Sequence, residues 1–239
     1  MSARFALVDV FADEPLQGNP LAVVADAPDL PAALMARLAG EFQQSETTFL
    51  LPPTRPGADW RLRSFTAAGV EVFGAGHNAL GAWWWLAAAG RLRLAAPRTR
   101  FAQELGERVL PVEVSSAEDG RPTAIGMDQA PPAFGQVSRD AAALARALGL
   151  EASDLSLEAL PAQVVSTGAA HLLVPLRGRA AVDAVRPQAE RLAALLRDLG
   201  GQGCYVFCLE PIDPGATAYA RFFNPTVGIA EDPATGSAA

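Results

Sequence analysis

Cysteine, histidine and tyrosine are scarce in this chain of 239 residues, with two of each, and these shortages exclude whole classes of chemistry. Two histidines, His77 and His171, and two cysteines, Cys204 and Cys208, give no spacing from which a zinc site could be assembled. The cysteines lie four positions apart in an apolar run. A strand would turn both to one face and hold them too far apart to bond, so two free core thiols are expected. No run reaches the roughly 18 uninterrupted apolar residues of a membrane span. The start, MSARFALVDVF, lacks the apolar region and cleavage site of a secretory leader. Basic clusters are missing too: 19 Lys and Arg against 26 Asp and Glu leave a net charge of −7, which argues against nucleic acid as a partner. There is no G-x-x-x-x-G-K, and the first strand-like run leads into ADEPLQGNP rather than a nucleotide-binding turn. A cytoplasmic globular protein is expected, with no metal, no membrane and no nucleic acid.

With 50% apolar residues, the chain can build one large core or two small ones. RFALVDVF (4–11) and LAVVA (21–25) read as neighbouring strands flanking turn-rich ADEPLQGNP. A helix follows, with Asp29 as N-cap, Pro31 in its first turn, Leu34, Leu38 and Phe42 on its apolar face, and an end near Gln43. SETTFLLP and WRLRSF read as strands. NALGAWWWLAAA (78–89) has no charged residue and is closed by Gly90; a helix apolar all round must be surrounded, so a helix enclosed by sheet is expected. RLRLA, RVLPVEVS and TAIGMD read as strands, and 138–150 as an amphipathic helix. QVVST and HLLVPL, a helix around 187–199, and strands GCYVFCLE and TAYARFF complete the pattern. A boundary falls between 112 and 136, giving domains 1–115 and 116–239.

An internal repeat bears on function. Arg63, Phe65 and Glu71 match Arg221, Phe223 and Glu231; each Glu precedes a Gly by five residues, Gly76 and Gly236, and each Gly precedes a polar residue, His77 and Ser237. The second copy is two residues longer between Phe and Glu. If this is a duplication, the chain has two similar lobes whose Gly-rich turns open helices and face a common cleft. Helix starts leave N–H groups unpaired and carry partial positive charge, so such a cleft suits a carboxylate. Gly74, Gly76, Asn78 and Gly236 are the expected substrate-binding positions, the glycines allowing close backbone approach.

DVFADEPLQGNPLAVV (9–24), QQSETTFLLP (43–52), FGAGHNALG (73–81) and EDPATGSAA (231–239) together resemble the phenazine-biosynthesis-like (PhzF) isomerase family, in order along the chain. The resemblance implies an α+β fold of the diaminopimelate-epimerase type: two pseudo-symmetric lobes, each a mixed or antiparallel sheet wrapped round a central helix. It implies Glu46 as catalytic proton carrier, with His77, Asp232 and Ser237 as further catalytic residues. It also implies a small carboxylate-bearing substrate, no cofactor and a homodimer; in the best-known member the reaction isomerises a dihydro-hydroxyanthranilate. The chain departs from the family pattern at FTAAG and AGHN. It stops at Ala239, where members continue into the second central helix, so the second lobe is expected to lack that helix.

Read without the resemblance, these residues leave other options open. Glu46 fits a solvent-facing strand glutamate, His77 a helix-start residue, Asp232 before Pro233 a turn or N-cap residue, Ser237 a first-turn serine and His171 a strand residue. Neither Gly-rich turn holds a cysteine, which excludes a two-thiol racemase. Two alternatives to an isomerase stand: a hydrolase using Ser237, His77 and Asp232, though without the G-x-S-x-G elbow, and a small-acid-binding protein without turnover.

Overall fold

The structure is a computed structural model that describes residues 4–26, 30–95, 97–158 and 160–239. The chain is an α+β protein of two compact units, Met1–Gln129 and Ala130–Ala239.

The first unit opens with an antiparallel pair, β1 (Arg4–Val10) and β2 (Asn19–Ala25). Gly18 enters β2 at φ +70, and a Cβ there would stand 2.2 Å from the Val10 carbonyl oxygen, so only glycine fits. After α1 (Ala32–Phe42), β3 (Glu46–Leu51) runs parallel to β2, and β4 (Trp60–Thr66) pairs antiparallel with β3. The short β5 (Glu71–Val72) pairs with β4 and leads into α2 (His77–Ala88). β6 (Arg98–Leu105) lies parallel to β4, followed by β7 (Arg108–Ser116) and β8 (Pro122–Gly126). The sheet order is β1-β2-β3-β4-β6-β7-β8, with β5 beside β4.

Alternation along the strands supplies two cores. Val24, Phe49, Leu51 and Phe65 pack with Met35 and Ala39 of α1, whereas Leu21, Val23, Leu50 and Leu62 pack with Ala82, Trp83 and Leu86 of α2. Gly81 lets α2 approach closely, since a Cβ would lie 2.7 Å from methyl carbons of Leu21 and Val10. The buried Trp83 indole donates to Gln103 Oε1 at 3.0 Å.

The second unit is a six-stranded sheet in the order β14-β13-β12-β11-β10-β9. Its elements are β9 (Ala133–Val137), α3 (Ala141–Leu148), β10 (Gln163–Ser166), β11 (Ala170–Pro175), α4 (Arg179–Ala184), α5 (Ala189–Leu199), β12 (Gly203–Cys208), β13 (Tyr219–Asn224) and β14 (Ile229–Asp232). The Asp140 carboxylate caps α3 by accepting from the Ala143 N–H at 2.9 Å. Leu144, Leu148, Val182, Leu192 and Leu196 of the helices pack on Val164, Leu172, Val174, Cys204, Val206, Cys208 and Phe223 of the sheet. The two cysteines are free, buried and in this one core, as their spacing requires.

Three expectations need correction or fall outside what is described. RLRLA (91–95) is irregular, and the strand is the following RTRFAQEL, whose charges hid it: Arg98 and Arg100 are exposed, while Glu104 is buried and accepts from the Thr54 and Arg55 N–H groups and the Thr54 hydroxyl. The buried face of α1 is Met35 and Ala39; Leu38 and Phe42 flank it, and Leu34 is 36% exposed. The sheet wraps round α2 as expected, with β1, β2 and β3 at one end of the sheet and β7 and β8 at the other all touching it, and Trp84 keeps 39% exposure. The expected cap Asp29 lies outside the described residues.

Candidate active site

In the first unit Glu46 opens β3, where its backbone is held on both sides, opposite Leu21 of β2 and Thr66 of β4. Its side chain is 15% exposed. His77 is the first residue of α2 and is buried, with Nδ1 3.8 Å from Glu46 Oε2. The strand start and the helix start thus bring together an acid and an imidazole that are 31 positions apart in sequence. His77 is buried and Glu46 is half-buried, which removes the reading of Glu46 as a solvent-facing strand residue.

Asn78 organises the turn that delivers His77. Its Oδ1 accepts from the Gly76 N–H at 2.9 Å, and its Nδ2 donates to the Gly74 carbonyl at 3.0 Å and to Ser64 Oγ at 3.1 Å. Ser64 Oγ in turn lies 2.9 Å from Thr48 Oγ1, on the neighbouring strand. Asn78, Ser64 and Thr48 are all buried, so a fully used polar network fixes the loop to the sheet. At Gly74 an added Cβ would meet no described atom within 4 Å, and at Gly76 only Asn78 Oδ1 at 3.8 Å. Neither glycine is demanded by packing.

The repeat read from sequence has matching geometry in each unit. The Arg63 guanidinium makes two bonds of 2.7 Å to Glu71 and lies over the Phe65 ring at 5.2 Å. Arg221 makes bonds of 2.7 and 2.8 Å to Glu231 and lies over Phe223 at 4.9 Å. Each forked pair ties the strand before a Gly-rich turn to the strand or segment that enters it. The pairing holds both arginines above their ordinary range and Glu231 below its own, through the hydrogen bonds first and the opposite charge second.

In the second unit β14 ends at the buried Asp232, whose Oδ2 accepts from the Thr235 hydroxyl. Gly236 and Ser237 follow in a turn, closed by the Ala238 N–H bonding to the Thr235 carbonyl at 3.1 Å. Thr167 Oγ1 donates to the Ser237 carbonyl at 3.4 Å. Ser237 Oγ lies 3.4 Å from Nε2 of His171, on β11. His171 is indeed a strand residue, but its position beside Ser237 was missed: it sits in an apolar run, and its neighbour comes 66 residues later.

Among the described residues no three His, Cys, Asp or Glu side chains gather as metal ligands. No described helix is long and apolar enough to cross a membrane.

Two α+β units, each carrying an Arg–Phe–Glu brace and a Gly-rich turn that ends in a polar side chain, define a class of two-lobed α+β protein. Comparison with known proteins gives the family. The profile of the phenazine biosynthesis-like proteins, PhzC-PhzF, matches residues 8–239. The chain belongs to this family. It is 37% identical over 236 residues to trans-2,3-dihydro-3-hydroxyanthranilate isomerase of Pseudomonas aeruginosa, covering 99% of this chain and 77% of that protein. The Pseudomonas fluorescens enzyme of the same name is 36% identical over the same shares. The solved structure of the Bacillus anthracis phenazine biosynthesis protein of the PhzF family superposes with a TM-score of 0.85 at 30% identity, over 100% of this chain and 78% of that one. Curated relatives are thus named isomerases.

Proposed function

We propose that this protein is a cofactor-independent isomerase that shifts a proton on a small, carboxylate-bearing, cyclic metabolite in the cytoplasm. The observation that carries the reading is the Glu46–His77 pair: a carboxylate and an imidazole 3.8 Å apart, largely withdrawn from water, at the start of a strand and of a helix. Glu46 takes a proton from carbon and, as the acid so formed, returns it to another carbon of the same substrate. His77 stands at the N-terminus of α2, where helix N–H groups and the peptide dipoles favour the negative charge that develops on substrate oxygen as the proton leaves. A helix start beside an imidazole donor also suits a carboxylate.

Gly74 and Gly76 support the same reading. Their freedom from packing contacts leaves backbone open to a ligand, while Asn78 holds the turn in shape. In this proposal Ser237 and Asp232 are substrate-handling groups of the second unit. The relatives named for trans-2,3-dihydro-3-hydroxyanthranilate isomerisation suggest the first substrate to try, and the proposed species is a homodimer.

The test is to incubate the chain with trans-2,3-dihydro-3-hydroxyanthranilate and with a panel of cyclic unsaturated acids, following each by ultraviolet absorbance and proton NMR. Movement of a double bond without net change in composition, and without added metal or nucleotide, is the expected result. Release of an alcohol from ester probes, with every acid unchanged, would instead favour the hydrolase. Light scattering checks the dimer.

A further inference from the structure

The second unit contains a buried imidazole whose two ring nitrogens meet different surroundings. His171 is 4% exposed, and its ring packs edge-on against Phe222 with centroids 4.9 Å apart. Its neighbour across the β11–β12 ladder is Gly203. A Cβ on Gly203 would lie 2.3 Å from the Phe222 ring and 3.2 Å from His171 Nδ1, so the bare backbone makes room for both rings. Nδ1 is buried with no hydrogen-bond partner among the described residues. Nε2 has Ser237 Oγ at 3.4 Å.

A neutral imidazole carries one N–H and one lone pair. With the proton on Nδ1, a donor would be buried without an acceptor, an arrangement native proteins avoid more strictly than an unused lone pair. With the proton on Nε2, the N–H meets the serine oxygen and only a lone pair is left idle. The hydroxyl proton of Ser237 must then find its acceptor elsewhere, because the nitrogen facing it is already protonated.

We propose that His171 is a positioning residue for ligand binding: it donates from Nε2 to Ser237 Oγ and so commits the Ser237 hydroxyl proton to an oxygen of an anionic ligand. This rests on the reading of Ser237 as a substrate-contacting group. Burial holds the imidazole down, to about 4, and outweighs the pull of the Asp232 carboxylate on β14, so the ring stays neutral and the donor arrangement persists through the physiological range. The same tautomer means that His171 cannot act as a base toward Ser237. A nucleophilic serine activated by this histidine is therefore not the chemistry of this unit.

The experiment is nitrogen-15 NMR of the full chain, with only two histidines to assign and His77→Asn to identify the second. The expected result is a neutral Nε2–H tautomer for His171 that does not titrate above pH 5, and an Hε2 resonance that shifts in Ser237→Ala. An Nδ1–H tautomer, or titration near pH 6.5, would overturn the proposal whatever the protein's activity. On a substrate that the chain isomerises, His171→Gln, which retains an N–H donor, should keep KM within a few-fold. His171→Leu and Ser237→Ala should each raise it about ten- to hundredfold, the range for a hydrogen bond to a charged group, with a smaller change in kcat. Equal KM for all four proteins would sink the positioning role while leaving the isomerase intact. Absence of turnover in wild type would count against the isomerase and not against the tautomer.

Discussion

Replacing Asn78 by aspartate changes one atom pair in the network that carries His77, and the cost can be worked out from the geometry. In the native turn Oδ1 accepts from the Gly76 N–H, and Nδ2 donates to the Gly74 carbonyl and Ser64 Oγ. Aspartate keeps the first bond. It puts an oxygen 3.0 Å from the Gly74 carbonyl oxygen, where a donor stood. The site is 1% exposed, so an ionised carboxylate there opposes a carbonyl with little water to screen it. A loss of about 3 kcal/mol or more is expected at pH 7. Protonation restores an O–H that can donate to the carbonyl, so the difference from wild type should shrink as the pH falls; the substituted acid has a raised folded pKa, and its penalty belongs to the high-pH side. Asn78→Ala loses all three bonds, but Ser64 keeps Thr48 and the Gly74 carbonyl lies on an exposed residue that water can reach. About 2 kcal/mol is expected for it, with little pH dependence. The assay is urea unfolding of the three proteins from pH 5 to 8. Aspartate and asparagine of equal stability at pH 7, or a penalty that grows toward acid, would refute this account of the turn.

The remaining predictions concern other parts of the molecule. Because the unfolded histidine takes its proton near 6.5 and the folded one only near about 4, the neutral His171 contributes stability that is complete above pH 6.5 and lost as the pH falls toward 4. The loss is at most about 3 kcal/mol, and His171→Gln should remove that slope in thermal melts across the window. Arg221→Lys should cost about 1 kcal/mol more than Arg63→Lys in urea unfolding, since Arg221 also donates to the Val182 and Val185 carbonyls at 3.0 and 3.1 Å, bonds that a lysine cannot make together with a fork to Glu231. Burial pushes the Cys204 thiol up to about 12, and Cys208 is equally enclosed. Neither should react with Ellman's reagent in the native protein, and both should react in denaturant.

Much of this was legible from the residues because local pattern and tertiary role agree. The repeated Arg–Phe and Glu positions were visible as letters, and they form the same forked brace in both units because a guanidinium between a carboxylate and a ring satisfies all three at once. The SET and AGHN motifs marked a strand start and a helix start, and Glu46 and His77 meet there. The α2 run was readable as buried because it has no charge, and strands from both ends of the sheet pack on it, leaving Trp84 part-exposed.

What escaped the sequence was tertiary in origin. β6 carries two exposed arginines, Arg98 and Arg100, and a buried Glu104, and does not look like a strand until β4 and β7 flank it. β9 is an edge strand with every residue exposed, so burial imposed no periodicity on it. The inner face of α1 is Met35 and Ala39 rather than the four-residue row of Leu34, Leu38 and Phe42, because the gap above Phe49 and Phe65 takes a flexible and a small side chain. His171 looked like one more strand residue because nothing local distinguishes a buried imidazole with a hydroxyl neighbour from one without.

The claim on which the functional account depends is that Glu46 carries the proton. Hydrogen–deuterium exchange at substrate carbon reads this directly: wild type and Glu46→Gln are incubated in D₂O with an acid that wild type converts, and deuterium at the carbons is followed by NMR. Incorporation by wild type, and at least a hundredfold less by Glu46→Gln at unchanged affinity for the acid, is the predicted outcome. Equal incorporation by the two proteins would contradict it.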